Sequence, residues 1–290
     1  MFSASRIAPL LGGLALLAFA LAPGLASANM GDKDVARMVA FGGACAKCEL
    51  SGRKLAGAHF MGANFAESSL VGSDLRDARF MGANFSRADL SRADLSDAQM
   101  IGGNFAHAVL TDARLRDVEA PGVNFGGANL ARADLRDSSA TGANFARANL
   151  SNAVLRGADL SGANFSRVNG RSANFRDATL SGGNLGSGVF DHASFRDADL
   201  GAANLGGATF VNADFRGASL ASANIAGVDL SRARGLEQDQ LDEACASGST
   251  RVPAGLTPKS CGGGRLKPPP PPAPPRPPSP PRARYLVATD

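Results

Sequence analysis

Histidine is scarce in this 290-residue chain, with only His59, His107 and His192. A catalytic or metal centre needs several titratable groups converging in one place, and three widely separated histidines match no ligand spacing. Cysteine is almost as rare, with four residues, Cys45, Cys48, Cys245 and Cys261. Cys45 and Cys48 form a C-x-x-C, but Glu49 stands where haem attachment requires histidine, and no βαβ pattern of the thioredoxin kind surrounds it. Charge of one sign is missing from the long middle, where residues 50–236 hold 19 Arg and Lys against 18 Asp and Glu. Nucleic acid is therefore not an expected partner, because phosphate binding rests on a basic surplus. Long apolar runs are absent except for Ile7 to Leu25, which Pro9, Gly12, Gly13 and Pro23 interrupt.

What fills the chain is a period of five. Of the 37 positions numbered in multiples of five from 50 to 230, 34 carry Leu, Phe, Met or Ile, the exceptions being Ala120, Ala140 and Gly170. Neither a helix nor a single strand produces this period. A unit so small cannot bury its own apolar residue and must stack on copies of itself, which predicts a solenoid with one shared core. A second period of twenty lies on top. Asn64, Asn84, Asn104, Asn124, Asn144, Asn164, Asn184, Asn204 and Asn224 form one column. Gly62, Gly82, Gly102, Gly122, Gly142, Gly162 and Gly182 form another, and Arg76, Arg116, Arg136, Arg156, Arg176, Arg196 and Arg216 a third. Asp follows in the third column at Asp77, Asp117, Asp137, Asp177 and Asp197.

The quintets MGANF (Met61 to Phe65), RADLS (Arg87 to Ser91) and SGANF (Ser161 to Phe165) resemble the pentapeptide repeat family. The resemblance implies an all-β fold, a right-handed, quadrilateral parallel β-helix with one quintet per side. At a coil spacing of ~4.8 Å it gives about nine coils and a rod roughly 43 Å long. The Asn column should chain its amides along the axis, and the Gly column should mark a corner of positive φ. Asp74, Asp94, Asp134 and Asp214, each just before a central Leu or Phe, should accept hydrogen bonds from turn amides. The small residues at Ala120, Ala140 and Gly170 predict soft packing and, at most, a small apolar pocket.

The expected organisation is a signal peptide (1–28), an N-terminal cap with the C-x-x-C (29–49), the β-helix (50–235), a C-terminal helical cap and disulfide loop (236–265) and a Pro-rich basic disordered tail (266–290). Arg6, the apolar run and Ala26-Ser27-Ala28 predict cleavage after Ala28, leaving no transmembrane span. Export to an oxidising compartment favours two structural disulfides, Cys45 with Cys48 and Cys245 with Cys261. Short helices over 34–41 and 236–246 should cover the solenoid's ends, whose open strand edges would otherwise recruit other chains. Residues 268–281 carry eleven prolines and should extend as polyproline II over ~43 Å.

Function is less legible. The family's best-known activity, protection of DNA gyrase by rods resembling duplex DNA, requires an acidic rod in the cytoplasm, and this rod is neutral with an export signal. The histidines fall on different sides of the coil, no insertion breaks the register to build a cleft, and no Thr ladder offers an ice-binding face. The expectation is a non-enzymatic scaffold of the periplasm or cell envelope, without cofactor or metal. Its partner would be a protein or an anionic envelope polymer, met by the Arg column with its Asp partners. The uncharged Gly/Asn side could pair two rods as a homodimer. The alternative is a tether acting through the tail, since seven basic residues face one acidic from Arg251 onward.

Overall fold

The computed structural model of the protein describes residues 31, 32, 35 and 42–260. The signal segment, most of the front helix (Met38 and Val39 included), Cys261 and the tail lie outside the described residues.

Each quintet makes one side of a coil in the same way. The residue at the multiple of five points inward, the next two turn the corner, the fourth points inward again, and the fifth bridges to the coil above and below. The turn closes locally, as where Arg53 N–H donates to the Leu50 carbonyl at 3.2 Å. The bridges of the solenoid join positions twenty residues apart in parallel, from Ala44 with Asn64 to Asp214 with Arg234. Leu50 N–H reaches the Ser69 carbonyl and Asp74 N–H the Arg53 carbonyl, so the backbone of each coil is satisfied by its neighbours. Four such bridging columns run the length of the solenoid, with single-residue bridges in place of long strands.

The second corner residue takes a left-handed conformation at every corner from Gly42 to Gly227. Gly62 to Gly182 do so without a Cβ penalty, with Gly62 at φ +64°. On the other sides Asp77 at +57° and Arg147 at +60° adopt it with side chains.

The core is a filled tube. Leu and Phe at the five-residue sites and Ala two residues before them are buried almost without exception. Phe65, Phe85, Phe105, Phe125, Phe145 and Phe165 stack along one side at ring separations of 4.7–5.4 Å. The aromatic column then changes side. Phe165 meets Phe175 edge-on at 5.9 Å, and Phe175, Phe195 and Phe215 carry the stack onward. A narrow tube accommodates a full aromatic column on one wall more readily than on two facing walls.

The soft spot expected at Gly170 is filled. The Phe190 ring lies where a Cβ on Gly170 would stand, at 2.6 Å, and the same ring leaves no room for one on Gly188. Ala120 and Ala140 are fully buried. Beside them Ser138 is buried too, and its hydroxyl lacks a hydrogen-bond partner.

Both ends differ in extent from the sequence expectation. Ala44 and Glu49 already bridge to Asn64 and Ser69, and Cys45 occupies an inward site. The C-x-x-C therefore sits within the first coil rather than before it. At the back, the helix α1 covers only Gln238–Glu243. The chain turns extended at Ala244, and Cys245 and Arg251 bridge to Asn224 and Asp229. The open edge of the last coil offers backbone partners that outweigh further helix, whose reach was overestimated by three residues at its C-terminal end and two at its start. Gln240, nearly buried, finishes the cap by donating through Nε2 to the carbonyls of Phe215 (2.9 Å) and Ala218 (2.6 Å).

Candidate interaction surfaces

The Asn column is a continuous amide ladder. From Asn84 to Asn224, each Nδ2 donates to the Oδ1 of the Asn one coil earlier, at 2.9–3.5 Å. The same Oδ1 atoms accept the backbone N–H two residues on, as Asn144 does from Ala146 at 3.1 Å. A second, shorter ladder joins Asn129, Asn149 and Asn169 on the adjacent side. It ends where Val189 replaces Asn, and the Asn169 Oδ1 is left without a partner. Three asparagines among varied residues gave too weak a period to single out in sequence.

The Arg column is paired with aspartates, at Arg176 and Arg196 with the Asp that follows in sequence and elsewhere with a different one. Arg76, Arg136 and Arg216 turn back to Asp74, Asp134 and Asp214, two residues earlier. Arg116 joins Arg136 on Asp134, at 2.5 Å. Arg156 reaches Asp177 at 3.0 Å, Arg176 lies between Asp177 and Asp197, and Arg196 pairs with Asp197. Asp77, Asp117 and Asp137 form none of these bridges. Asp74, Asp134 and Asp214 also accept the backbone N–H of the arginine two residues on. Burial opposes ionisation of Asp134, but hydrogen bonds from Arg136 and Arg116 outweigh it and hold its pKa at about 2. Asp97, with Ser96 in place of the column's Arg, goes the other way. Burial and the carboxylates of Asp117, Asp77 and Asp94 push its pKa up.

A third surface escaped the sequence reading. Arg87, His107, Arg147 and Arg167 stand one coil apart at the same exposed corner position, except that Gly127 interrupts them. The corner lies between the two amide ladders, and none of the three arginines enters an ion pair among the described residues. Their column mixes Arg with His, Gly, Ser and Glu, so no period marked it. Next to it runs a shallow trough of about 890 Å³, from Ala106 to Gly206, floored by Gly126, Ala146 and Gly186.

The histidines stay apart, His107 and His192 on two different corners and His59 on a side where it bridges to Arg79, and no metal-binding group of His, Cys, Asp and Glu forms among the described residues. Cys45 and Cys48 are joined by a disulfide. Cys245 is disulfide-bonded as well, while its expected partner Cys261 lies outside the described residues. No helix among the described residues is long and apolar enough to cross a membrane.

Comparison with known proteins bears on the rod alone. No curated protein matches the chain. Among solved structures, it is similar to HetL, a pentapeptide repeat protein involved in heterocyst differentiation regulation from the cyanobacterium Nostoc sp. strain PCC 7120. The two are 28% identical with a TM-score of 0.63, over 78% of this chain and 98% of HetL. A weaker likeness, 20% identity and a TM-score of 0.43, covers 65% of this chain and 91% of QnrB1, a plasmid-mediated fluoroquinolone resistance protein. The profile of pentapeptide repeats matches eight copies, over residues 45–82, 78–117, 122–157, 148–186 and 193–234. With its stacked quintets and amide ladders, the chain belongs to the pentapeptide repeat family.

Proposed function

We propose that the protein is an exported, non-catalytic scaffold of the periplasm or cell envelope, wound right-handedly, whose rigid rod presents its sides to a partner. The observation that carries the export half is the state of the cysteines: none is free among the described residues, and Cys45 and Cys48 tie one corner turn of the first coil covalently. Stable disulfides of this kind belong to oxidising compartments. The apolar run Ile7 to Leu25, followed by Ala26-Ser27-Ala28, fits the same destination. The scaffold half rests on the uninterrupted register, which among the described residues leaves the solenoid's corners too short to build a cleft over the rod. A duplex-mimicking role would need an acidic rod, and the paired Arg and Asp columns leave this one near neutral.

A second reading, the tether, is favoured by the charge of the tail: seven basic residues against one acidic from Arg251 onward. That surplus would hold anionic glycan or lipid while the rod serves as a rigid body.

Mass spectrometry of the intact protein from osmotic-shock, cytosolic and membrane fractions of its host tests the export. A soluble shocked-out species beginning at Asn29, four hydrogens lighter than its reduced form, is expected. A cytosolic, uncleaved and fully reduced chain would overturn it. Repeating the fractionation without residues 266–290 separates scaffold from tether, since only the tether loses its envelope association.

A further inference from the structure

Two neighbouring cations at one corner of the rod enter no ion pair among the described residues. Arg147 and Arg167 stand one coil apart, exposed, with amides on both flanks: Asn144 and Asn164 on one side, Asn149 and Asn169 on the other. The arginines of the Arg column, by contrast, each lie within reach of an aspartate, as Arg136 and Arg176 do. The trough beside the corner extends over five coil spacings, roughly 24 Å. Its lining includes His107, Arg147 and Arg167 and no carboxylate, and no apolar side chain larger than alanine.

The donors are arranged in a row. Each Asn Nδ2 has two hydrogens and the ladder uses one, so a spare N–H recurs at every coil. Ser166 and Ser187 add hydroxyls along the same lining. Guanidiniums select carboxylates by two parallel hydrogen bonds, while spare amide N–H groups and hydroxyls suit a partner rich in hydroxyl oxygens. A peptide would gain little here. Strand addition requires an open backbone edge, and the backbone of these sides is already committed, as where Asn144 N–H donates to Val123 and Phe145 N–H to Asn164. Nor does the lining offer pockets for apolar side chains.

We propose that this trough binds an acidic polysaccharide lying along the rod axis, its carboxylates on Arg147 and Arg167 and its hydroxyls on the Asn ladder. The inference rests on the scaffold reading only in placing that polymer in the cell envelope. It assigns recognition to the corner instead of the Arg column, whose charges are already paired, or the tail.

The test is calorimetric titration of the full chain with polygalacturonate, a polyuronate probe, at low and physiological salt, against poly-glutamate of similar length. Arg147→Gln with Arg167→Gln should weaken polygalacturonate binding about tenfold or more, through the loss of two charge-assisted contacts. Arg156→Gln with Arg176→Gln, on the paired column, should change it less than about twofold. Both variants alter exposed side chains, and unchanged melting temperatures would exclude a folding effect. Equal losses in the two variants, or none in either, would overturn the assignment to the corner, the second result placing any binding on the tail. Binding of poly-glutamate as tight as that of polygalacturonate would overturn the polysaccharide class. Failure here alongside a periplasmic, cleaved and oxidised protein would refute the trough alone, whereas binding by a chain found cytosolic and reduced would refute the export alone.

Discussion

Phe145 and Asn144 are neighbours in sequence with opposite fates, and they separate the core from the ladder. Phe145 is fully buried and stacks on Phe125 and Phe165 at 5.2 and 4.8 Å. Phe145→Asp places an unpaired charge in the axis and should abolish the cooperative thermal transition followed by circular dichroism. Asn144→Ala removes one rung, whose Nδ2 donates to Asn124 and whose Oδ1 accepts from Asn164 and Ala146. It should cost about 1–2 kcal/mol and leave the transition cooperative. Identical melts of the two variants would overturn the inward and outward assignment. Gly170 makes a subtler case. Its neighbours in the five-residue register suggest a missing Leu, yet the Phe190 ring occupies the space. Gly170→Ala should destabilise by about 1–3 kcal/mol through overpacking, and Phe190→Leu should restore much of the loss in the double variant. A stabilised Gly170→Ala protein would mean the slot is empty after all.

At the scale of elements, the Arg–Asp column is a chain of local ion pairs, and its electrostatics make a pH prediction. The folded protein holds the Asp134 pKa at about 2, below its ordinary 3.8. A depressed pKa contributes stability that is fully present above the unfolded value and is lost as pH falls through the folded one. Asp134 should therefore contribute on the order of 2 kcal/mol at neutral pH, declining from about pH 4 toward pH 2. Denaturant titrations of the wild type and of Asp134→Asn across that range check it: the gap between them should close on acidification. A gap that stays constant would show that Arg116 and Arg136 do not stabilise the ionised form. Asp134 was recognisable in sequence as a turn acceptor, but its two arginines were not, because Arg136 follows two residues on rather than next to it and Arg116 comes from the coil before. The caps were half legible for a similar reason. Leu236 and Leu241 marked an inward helical face and both are buried, but the chain beyond Glu243 pairs with a coil edge that no local pattern announces.

The whole molecule combines two periods of different legibility. The period of five, written in Leu and Phe, decides which side chains enter the axis and was plain in the sequence. The period of twenty decides which residues stack on which, and it was readable only where identical residues recur without a break, as in the Asn64 to Asn224 column. The basic corner and the Phe190 ring over Gly170 depend on unlike residues placed one coil apart, which a column of repeats cannot reveal, and the second ladder is a run of only three asparagines in an otherwise varied column. The two periods can be separated by deletion. Removing residues 146–165 excises one coil and returns every later residue to its own column, so the Asn ladder closes again between Asn144 and Asn184. In a solenoid whose stability is summed over nearest neighbours, that chain should keep its circular dichroism and melt cooperatively at a slightly lower temperature. Removing residues 146–155 preserves the period of five, and with it the inward Leu and Phe, but rotates the C-terminal part by half a coil. Asn164 then falls in the column of Asp134, the ladder is cut, and Phe165 lands above Leu135. That protein should be much less stable than the one with the longer deletion, although it loses fewer residues. Equal stability would mean that axial burial alone specifies the rod and that the side-chain columns contribute nothing to it.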